Sequence, residues 1–242
     1  MDTQLPYISI ILPVYNCYTA FEKGIGALRD VLDDLDEHSE IIVVNDGSEI
    51  DFDKINEKAV LYNCRLIQYK QNRGKGYAVK QGVEAALGKY IIYMDGDFPF
   101  DLKVIGAAYE TITKPGVDMI IGDRTLAGST YTEAPLIRSA GSKVLSFIVS
   151  RFVTPRYYDT QCGIKGFKHE VANDIFSKLT ITGFSFDVEV IFIALKRKYR
   201  IEKIPVKVEK QLSSNVKVIF HGFGMLLNFF KIGMKNYSNK YR

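Results

Sequence analysis

Five short apolar runs, alternating with longer amphipathic stretches, constrain this chain more than any other feature. The runs are YISIILP (7–13), EIIVVND (40–46), CRLIQY (64–69), KYIIYMD (89–95) and VDMIIG (117–122). They are rich in Ile and Val and nearly continuous in hydrophobicity, which is how strands covered on both faces of a parallel sheet read. Between them, residues 18–35, 51–62, 74–87 and 101–113 carry helical periodicity, with Asp51 placed as an N-cap and Gly88 as a C-cap. This alternation predicts an α/β fold, a doubly wound and mainly parallel sheet flanked by helices. After about Gly122 the alternation lapses. A long helix is expected over 135–151, a loop over 154–163, a strand over 163–168, helices over 169–178 and 185–198, and a strand within 201–210. No low-complexity linker interrupts the chain, so residues 1–212 read as one domain, followed by a distinct segment 213–242.

Composition narrows the function classes. The 242 residues are 47% hydrophobic and 25% charged, which excludes a disordered or collagen-like chain. Cys17, Cys64 and Cys162 lie far apart with no C-x-x-C pair, against a thiolate zinc site or a disulfide scaffold and in keeping with a reducing compartment. The N-terminal stretch lacks the basic and small-residue features of a signal peptide, and no run of about 18 apolar residues predicts a transmembrane helix. Charge is uneven: residues 196–242 hold 12 Lys/Arg against 2 Asp/Glu, so within an overall net of +4 the first 195 residues carry −6. A basic tail on an acidic body points to an anionic partner. Zinc-finger spacing, an RNP motif and a basic zipper are all missing, so nucleic acid is not expected.

In parallel sheets, ligands sit beyond the carboxyl ends of the strands. Those ends carry Tyr15-Asn16, Asp46-Gly47-Ser48 and Asp95-Gly96-Asp97, three polar exits in one chain. The Asp95-x-Asp97 pair can hold a hard divalent cation through oxygen ligands. Asn72-Arg73-Gly74-Lys75-Gly76 opens a helix but matches neither a P-loop nor a dinucleotide fingerprint. Its position at a helix N-terminus between Arg73 and Lys75 suits an anion, or simply a turn.

The strings ISIILPVYN, IIVVNDGS, NRGKGYAVKQG, YMDGD and DTQCGIKGF occur in this order over residues 8–167. Together they resemble a family-2 inverting glycosyltransferase of the GT-A (Rossmann-like) fold, most of all the dolichyl- and polyprenyl-phosphate glycosyltransferases. The Asp159–Gly163 string and the Gly-Lys-Gly loop are most similar to the dolichyl-phosphate β-glucosyltransferase branch, whose donor is UDP-glucose. The resemblance implies a nucleotide-sugar site built from Pro13, Tyr15, Asn16, Asp46, Lys75, Asp95 and Asp97, with Mg²⁺ or Mn²⁺ on Asp95 and Asp97. It implies an acceptor-phosphate site at Arg124, Arg138 and Ser142, the last two being four residues apart on one helical face. Asp97, Asp159 and Arg124 are the expected catalytic residues. Asp159 is expected as a base or as an acid that orients the acceptor, with Asp187 and Glu189 as alternatives or as ties between loops. Two positions depart from the family pattern: Cys17 follows Tyr-Asn where Glu is common, and Pro99 stands where many members place a further metal ligand.

The implied reaction moves a sugar, glucose by this likeness, onto a polyprenyl phosphate at the cytoplasmic face of the membrane. A hydroxyl of a growing surface polysaccharide is the alternative acceptor, and a non-catalytic nucleotide-sugar-binding scaffold is the alternative from another class. The tail supports a membrane role on separate grounds. Val216, Ile219, Phe220, Phe223, Leu226, Leu227, Phe230 and Met234 recur at helical steps opposite Lys217, Lys231 and Lys235. That describes an amphipathic helix, either interfacial on an anionic membrane surface or packed on the sheet. The protein is therefore expected to be peripheral on the inner membrane face, held by residues 213–242 or by a membrane partner protein.

Overall fold

Each Ile/Val-rich run becomes a strand, because only a sheet covered on both faces removes every side chain of such a run from water. The computed structural model describes residues 6–35, 37–130, 154, 157–209 and 241. Along them run β1 (Ile8–Val14), α1 (Tyr18–Asp33), β2 (Ser39–Asp46), α2 (Phe52–Leu61), β3 (Arg65–Tyr69), α3 (Lys75–Ala85), β4 (Tyr90–Met94), α4 (Lys103–Ile112) and β5 (Met119–Asp123). Then follow β6 (Ile164–Lys168), α5 (His169–Lys178), α6 (Phe186–Lys196) and β7 (Ile201–Pro205). The strands form a single seven-stranded sheet in the order β3-β2-β1-β4-β6-β5-β7. The two edge strands are less covered: Arg65 and Gln68 of β3 and Pro205 of β7 are exposed.

Alternation along β1 distributes the core between the two faces. Ile8, Ile10, Leu12 and Val14 join Phe21, Ile25, Leu28 and Leu32 of α1 and Val104, Ile105, Ala108 and Ile112 of α4. The apolar residues of α1 recur at steps of three and four, one stripe of a 3.6-residue helix. Ile11 points to the other face, where α3, α5 and α6 pack. Helix α6 is covered nearly all round, so its sequence FDVEVIFIALK is apolar on every side and buries Asp187 and Glu189 within it.

The chain order reverses between β1 and β4. β1, β2 and β3 are parallel, and β4 lies on the opposite side of β1, also parallel to it. One strand departs from the parallel expectation: β6 is antiparallel to both β4 and β5. The connection from β5 to β6 explains this. β5 ends at the carboxyl edge, and Arg124 just after it pairs with Asp159 just before β6. β6 thus enters the sheet at the edge where β5 leaves it, and must run back down.

The expected caps are not found. Asp51 precedes α2 in a left-handed conformation and makes no capping hydrogen bond; its carboxylate pairs instead with Lys54, 2.7 Å away. Helix α3 ends at Ala85 with Ala86 extended, so Gly88 is not its cap. The N–H of Gly88 donates to Ser9 Oγ at 2.8 Å. Beyond β7 the chain continues in isolated bridges, Thr130 with Lys207 and Phe100 with Val208. The helix expected over 135–151, the amphipathic segment 213–235, Arg138 and Ser142 lie outside the described residues. Within the described residues, no helix is long and apolar enough to cross a membrane.

Helix α3 approaches β1 so closely at Gly82 that an added Cβ would lie 2.3 Å from Ile11 Cγ2. Helix propensity alone predicts that Gly82→Ala stabilises the protein by about 1 kcal/mol. Overpacking opposes it, so the variant is expected to lose about 1–3 kcal/mol, read as a lowered thermal midpoint.

Candidate active site

A topological switch point leaves a crevice at the carboxyl ends of its two strands. Here those are the ends of β1 and β4, so Tyr15-Asn16-Cys17 and Asp95-Gly96-Asp97 flank one cleft. Asn16 adopts a left-handed conformation, φ 50°, which Asn tolerates better than most residues. Its Oδ1 accepts from Glu49 N at 2.9 Å and its own N–H donates to Ser48 Oγ at 3.1 Å, tying the exit of β1 to that of β2. Tyr15 keeps 43% of its surface exposed beside it. Pro13 belongs to β1, and its carbonyl backs onto Gly96.

Asp46 ends β2 and is buried. Its carboxylate accepts from Tyr69 OH (2.7 Å), Arg73 N (2.8 Å), Asn72 Nδ2 and Gly74 N (both 3.0 Å). All four donors lie at the end of β3 or in the loop that opens α3, so this acid fixes the Asn72–Gly76 loop to the sheet. From the other side, the N–H groups of Gly76 and Tyr77 donate to the carbonyl of Thr182. The loop held in this way delivers Lys75 to the cleft.

Lys75 Nζ lies 2.6 Å from Asp95 Oδ1 and 3.9 Å from Asp187 Oδ2. Burial disfavours its charge, yet the Asp95 and Asp187 carboxylates outweigh burial and hold its pKa above the ordinary lysine range. Asp95 also meets the start of β6: its N–H donates to the Gly163 carbonyl at 3.0 Å. A Cβ on residue 163 would stand 2.1 Å from Asp95 Oδ2, so only glycine permits this approach.

Asp97 faces solvent on one side. Desolvation by the surrounding protein, and then the Asp95 charge, raise its pKa to about 6, against the pull of Lys75. Cys17 registers the same acids. Burial foremost, with Asp97 and Asp95 adding to it and a backbone hydrogen bond at Tyr15 opposing, raises its thiol to about 11. It therefore stays protonated at neutral pH.

The donor set fits a hard divalent cation. Asp95 Oδ1 is buried and accepts no hydrogen bond, its contact with Lys75 being an ion pair outside hydrogen-bond geometry. Two mutually repelling carboxylates, one holding its proton up to about pH 6, are stabilised by an added positive charge. Among the described residues no cluster of three or more His, Cys, Asp or Glu gathers, so such an ion would need further oxygens from substrate and water.

Beside this cluster, Arg124 and Asp159 form a bidentate pair. Arg124 Nε and Nη2 donate to the two carboxylate oxygens at 2.9 and 2.6 Å, and Arg124 N donates at 2.8 Å. A carboxylate with both oxygens engaged orients its arginine and is poorly placed to act as a general base. Glu189, the other acid considered, ties a loop. It accepts from Thr180 N, Thr180 Oγ1 and Ile181 N, and also from Tyr241 OH. Sequence reasoning misses Lys165, which lies between Ile164 and Gly166 of β6 and is fully buried against Asp187.

The glycosyl transferase family 2 model matches residues 9–176, a span that contains Asn16, Asp46, Lys75, Asp95, Asp97, Arg124 and Asp159. The chain belongs to glycosyl transferase family 2. The dolichyl-phosphate beta-glucosyltransferase of Dictyostelium discoideum is 31% identical over 217 residues, covering 83% of this chain and 65% of that protein. That of Saccharomyces cerevisiae is 31% identical over 234 residues, covering 85% and 67%. This family 2 chain thus spans about two-thirds of the length of those relatives. An uncharacterized protein of Methanocaldococcus jannaschii is 30% identical over 231 residues and is matched over 89% of its length, with 90% of this chain covered. Glucosyl-3-phosphoglycerate synthase from Mycobacterium tuberculosis, solved with Mn²⁺, UDP and glucosyl-3-phosphoglycerate, superposes with a TM-score of 0.72 at 14% identity, over 94% of this chain and 80% of that one. That likeness establishes a shared GT-A fold.

Asp46→Asn tests the loop anchor of this family 2 chain. The amide cannot accept all four hydrogen bonds and turns its own N–H groups toward donors, so a loss of about 1–3 kcal/mol in stability is expected. Hydrogen exchange should quicken first at the Arg73 and Gly74 amides.

Proposed function

We propose that this chain transfers glucose from UDP-glucose, with inversion, to a polyprenyl or dolichyl phosphate at the cytoplasmic face of a membrane. The observation that carries the reading is the convergence on one sheet edge of the Lys75–Asp95–Asp97 cluster and the clamped Arg124. The names of the relatives support the acceptor class, and the Mycobacterium tuberculosis enzyme solved with UDP supports the donor.

The chemistry expected of these residues follows from their surroundings. A phosphomonoester acceptor has a second pKa of about 6 and is already anionic near neutrality, so it needs placement more than deprotonation. That removes the need for a free base, in keeping with an Asp159 whose oxygens are both engaged. Asp159 fixes the plane of the Arg124 guanidinium before substrate arrives, and a planar fork held in advance suits phosphate oxygens. Because Asp159 balances its charge, Arg124 acts through directed hydrogen bonds more than through net charge. Arg138 and Ser142 complete the proposed acceptor site. On the donor side, Pro13, Tyr15 and Asn16 border the nucleotide, while Asp46 serves it by holding the loop that carries Lys75. Asp95 and Asp97 would hold Mg²⁺ or Mn²⁺, which neutralises charge developing on a diphosphate leaving group. Attachment through the basic segment 213–242, or through a membrane partner, completes the proposal.

Incubating the protein with UDP-glucose, Mn²⁺ and a short polyprenyl phosphate should release UDP and yield a glucosylated lipid phosphate by mass. UDP release only with an oligosaccharide acceptor would overturn the lipid reading in favour of a hydroxyl acceptor. Arg124→Lys should raise KM for the lipid phosphate about tenfold, because an ammonium cannot grip two phosphate oxygens in one plane, with KM for the donor little changed.

The cation site makes a pH prediction. Below about pH 6 Asp97 carries a proton that the cation must displace, so Mn²⁺ affinity should fall about tenfold per pH unit there and level off above it. Titration of Mn²⁺ binding by electron paramagnetic resonance between pH 5 and 7.5 checks this. Asp97→Asn should give a weak, flat profile.

A further inference from the structure

Lys165 lies on β6, paired in register with Tyr93 of β4 and Ile121 of β5, and is buried in the sheet's interior. Its ammonium donates to Asp187 of α6 and to the Cys162 carbonyl, the latter at 3.0 Å. Asp187 is equally buried, and its Oδ1 also accepts from Tyr93 OH at 2.5 Å. Its second oxygen faces Lys75 Nζ at 3.9 Å, and Lys75 meets Asp95 at 2.6 Å. From the core to the cleft the charges alternate: Lys165, Asp187, Lys75, Asp95.

Placing an ion pair inside a sheet is unfavourable unless its hydrogen bonds are complete, and apolar residues of similar volume would fill the space at least as well. A carboxylate in the first turn of α6 does suit the helix dipole, but that accounts for Asp187 alone and not for a buried lysine aimed at it. What the pair adds is a fixed negative oxygen behind Lys75, opposite to Asp95. We infer that Lys165 and Asp187 are positioning residues of the donor site: Asp187, locked by Lys165 and Tyr93, fixes the Lys75 ammonium between two carboxylates. Lys75 is thereby held for the diphosphate by a second acid behind its close contact with Asp95. This rests on the reading of the cleft as a nucleotide-sugar site.

The test is the double variant Lys165→Met/Asp187→Asn, which removes both buried charges and leaves the Asn carbonyl to accept from Tyr93. Its thermal midpoint should stay within a few degrees of the parent, because neither charge is left unpaired. Two readouts separate positioning from packing. In the ligand-free protein, hydrogen exchange of the Lys75 ammonium, followed by ¹⁵N NMR, should accelerate at least tenfold. Calorimetry with UDP and Mn²⁺ should show Kd raised about tenfold. Lys75→Met should weaken UDP binding in the parent but add less than threefold in the double variant, since paired effects of one unit do not add. A folded double variant with parental ammonium exchange and parental UDP affinity overturns the inference. Should the double variant not fold, Tyr93→Phe removes only the hydroxyl that locks Asp187. Faster ammonium exchange and a Kd raised about threefold are then expected, and parental values in both overturn it. Failure of the parent itself to bind UDP would refute the donor reading, while the ammonium exchange still decides the positioning role.

Discussion

Three separate stretches of chain meet at Asp95, and the cleft depends on that meeting. The residue leaves β4 with its N–H donated to Gly163, the last residue before β6, while its carboxylate receives Lys75 from the loop that opens α3. The approach of Gly163 is possible only without a side chain there. It is also possible only because β6 runs antiparallel, since a parallel β6 would begin at the opposite edge of the sheet. The reversal of one strand thus brings the Asp159–Gly163 string, and with it the partner of Arg124, to the same edge as the two aspartates. Glycine at 163 and the direction of β6 are two aspects of one constraint.

The acids at the strand exits differ in surroundings, and the difference assigns their roles. Asp46 is buried and receives four hydrogen bonds from one loop. A carboxylate so satisfied is structural, and its value to the site lies in where it puts Lys75. Asp97 faces the cleft beside a second acid, and desolvation first, then that neighbouring charge, raises its pKa to about 6. Similar residues at strand exits diverge because one is surrounded by donors and the other is desolvated beside a like charge. Asp159 is a third case: both oxygens belong to Arg124, so it serves to orient that guanidinium.

Most of the fold was legible because its information is local. Continuous Ile/Val runs and three-and-four spacing, as in Phe21, Ile25, Leu28 and Leu32, mark elements without reference to partners. The cleft was legible because polar residues at strand ends stand out against apolar runs, and their sharing of one edge follows from the parallel rule. What was not legible is tertiary. The antiparallel course of β6 depends on where residues 124 to 163 travel, which no window of sequence contains. Asp51 reads as a cap, yet its backbone is left-handed and its carboxylate finds Lys54. Tyr241, far along the chain from α6, closes on Glu189 and packs against Phe192. Nothing in the basic amphipathic pattern around it announces that contact.

Glu189 and Asp187 show how one helix serves both sides of the same loop. They stand two residues apart near the start of α6. Glu189 gathers Thr180, Ile181 and Tyr241, which steadies the segment whose Thr182 carbonyl receives the amides of Gly76 and Tyr77. Asp187 reaches toward the side chain of the residue just before them, Lys75. The backbone of the Gly-Lys-Gly loop is therefore set through one acid of α6 and its ammonium through the other, while Asp46 holds the loop from the sheet. A loop fixed from two sides loses little conformational entropy when a ligand binds, so the place of Lys75 in the cleft is set in advance.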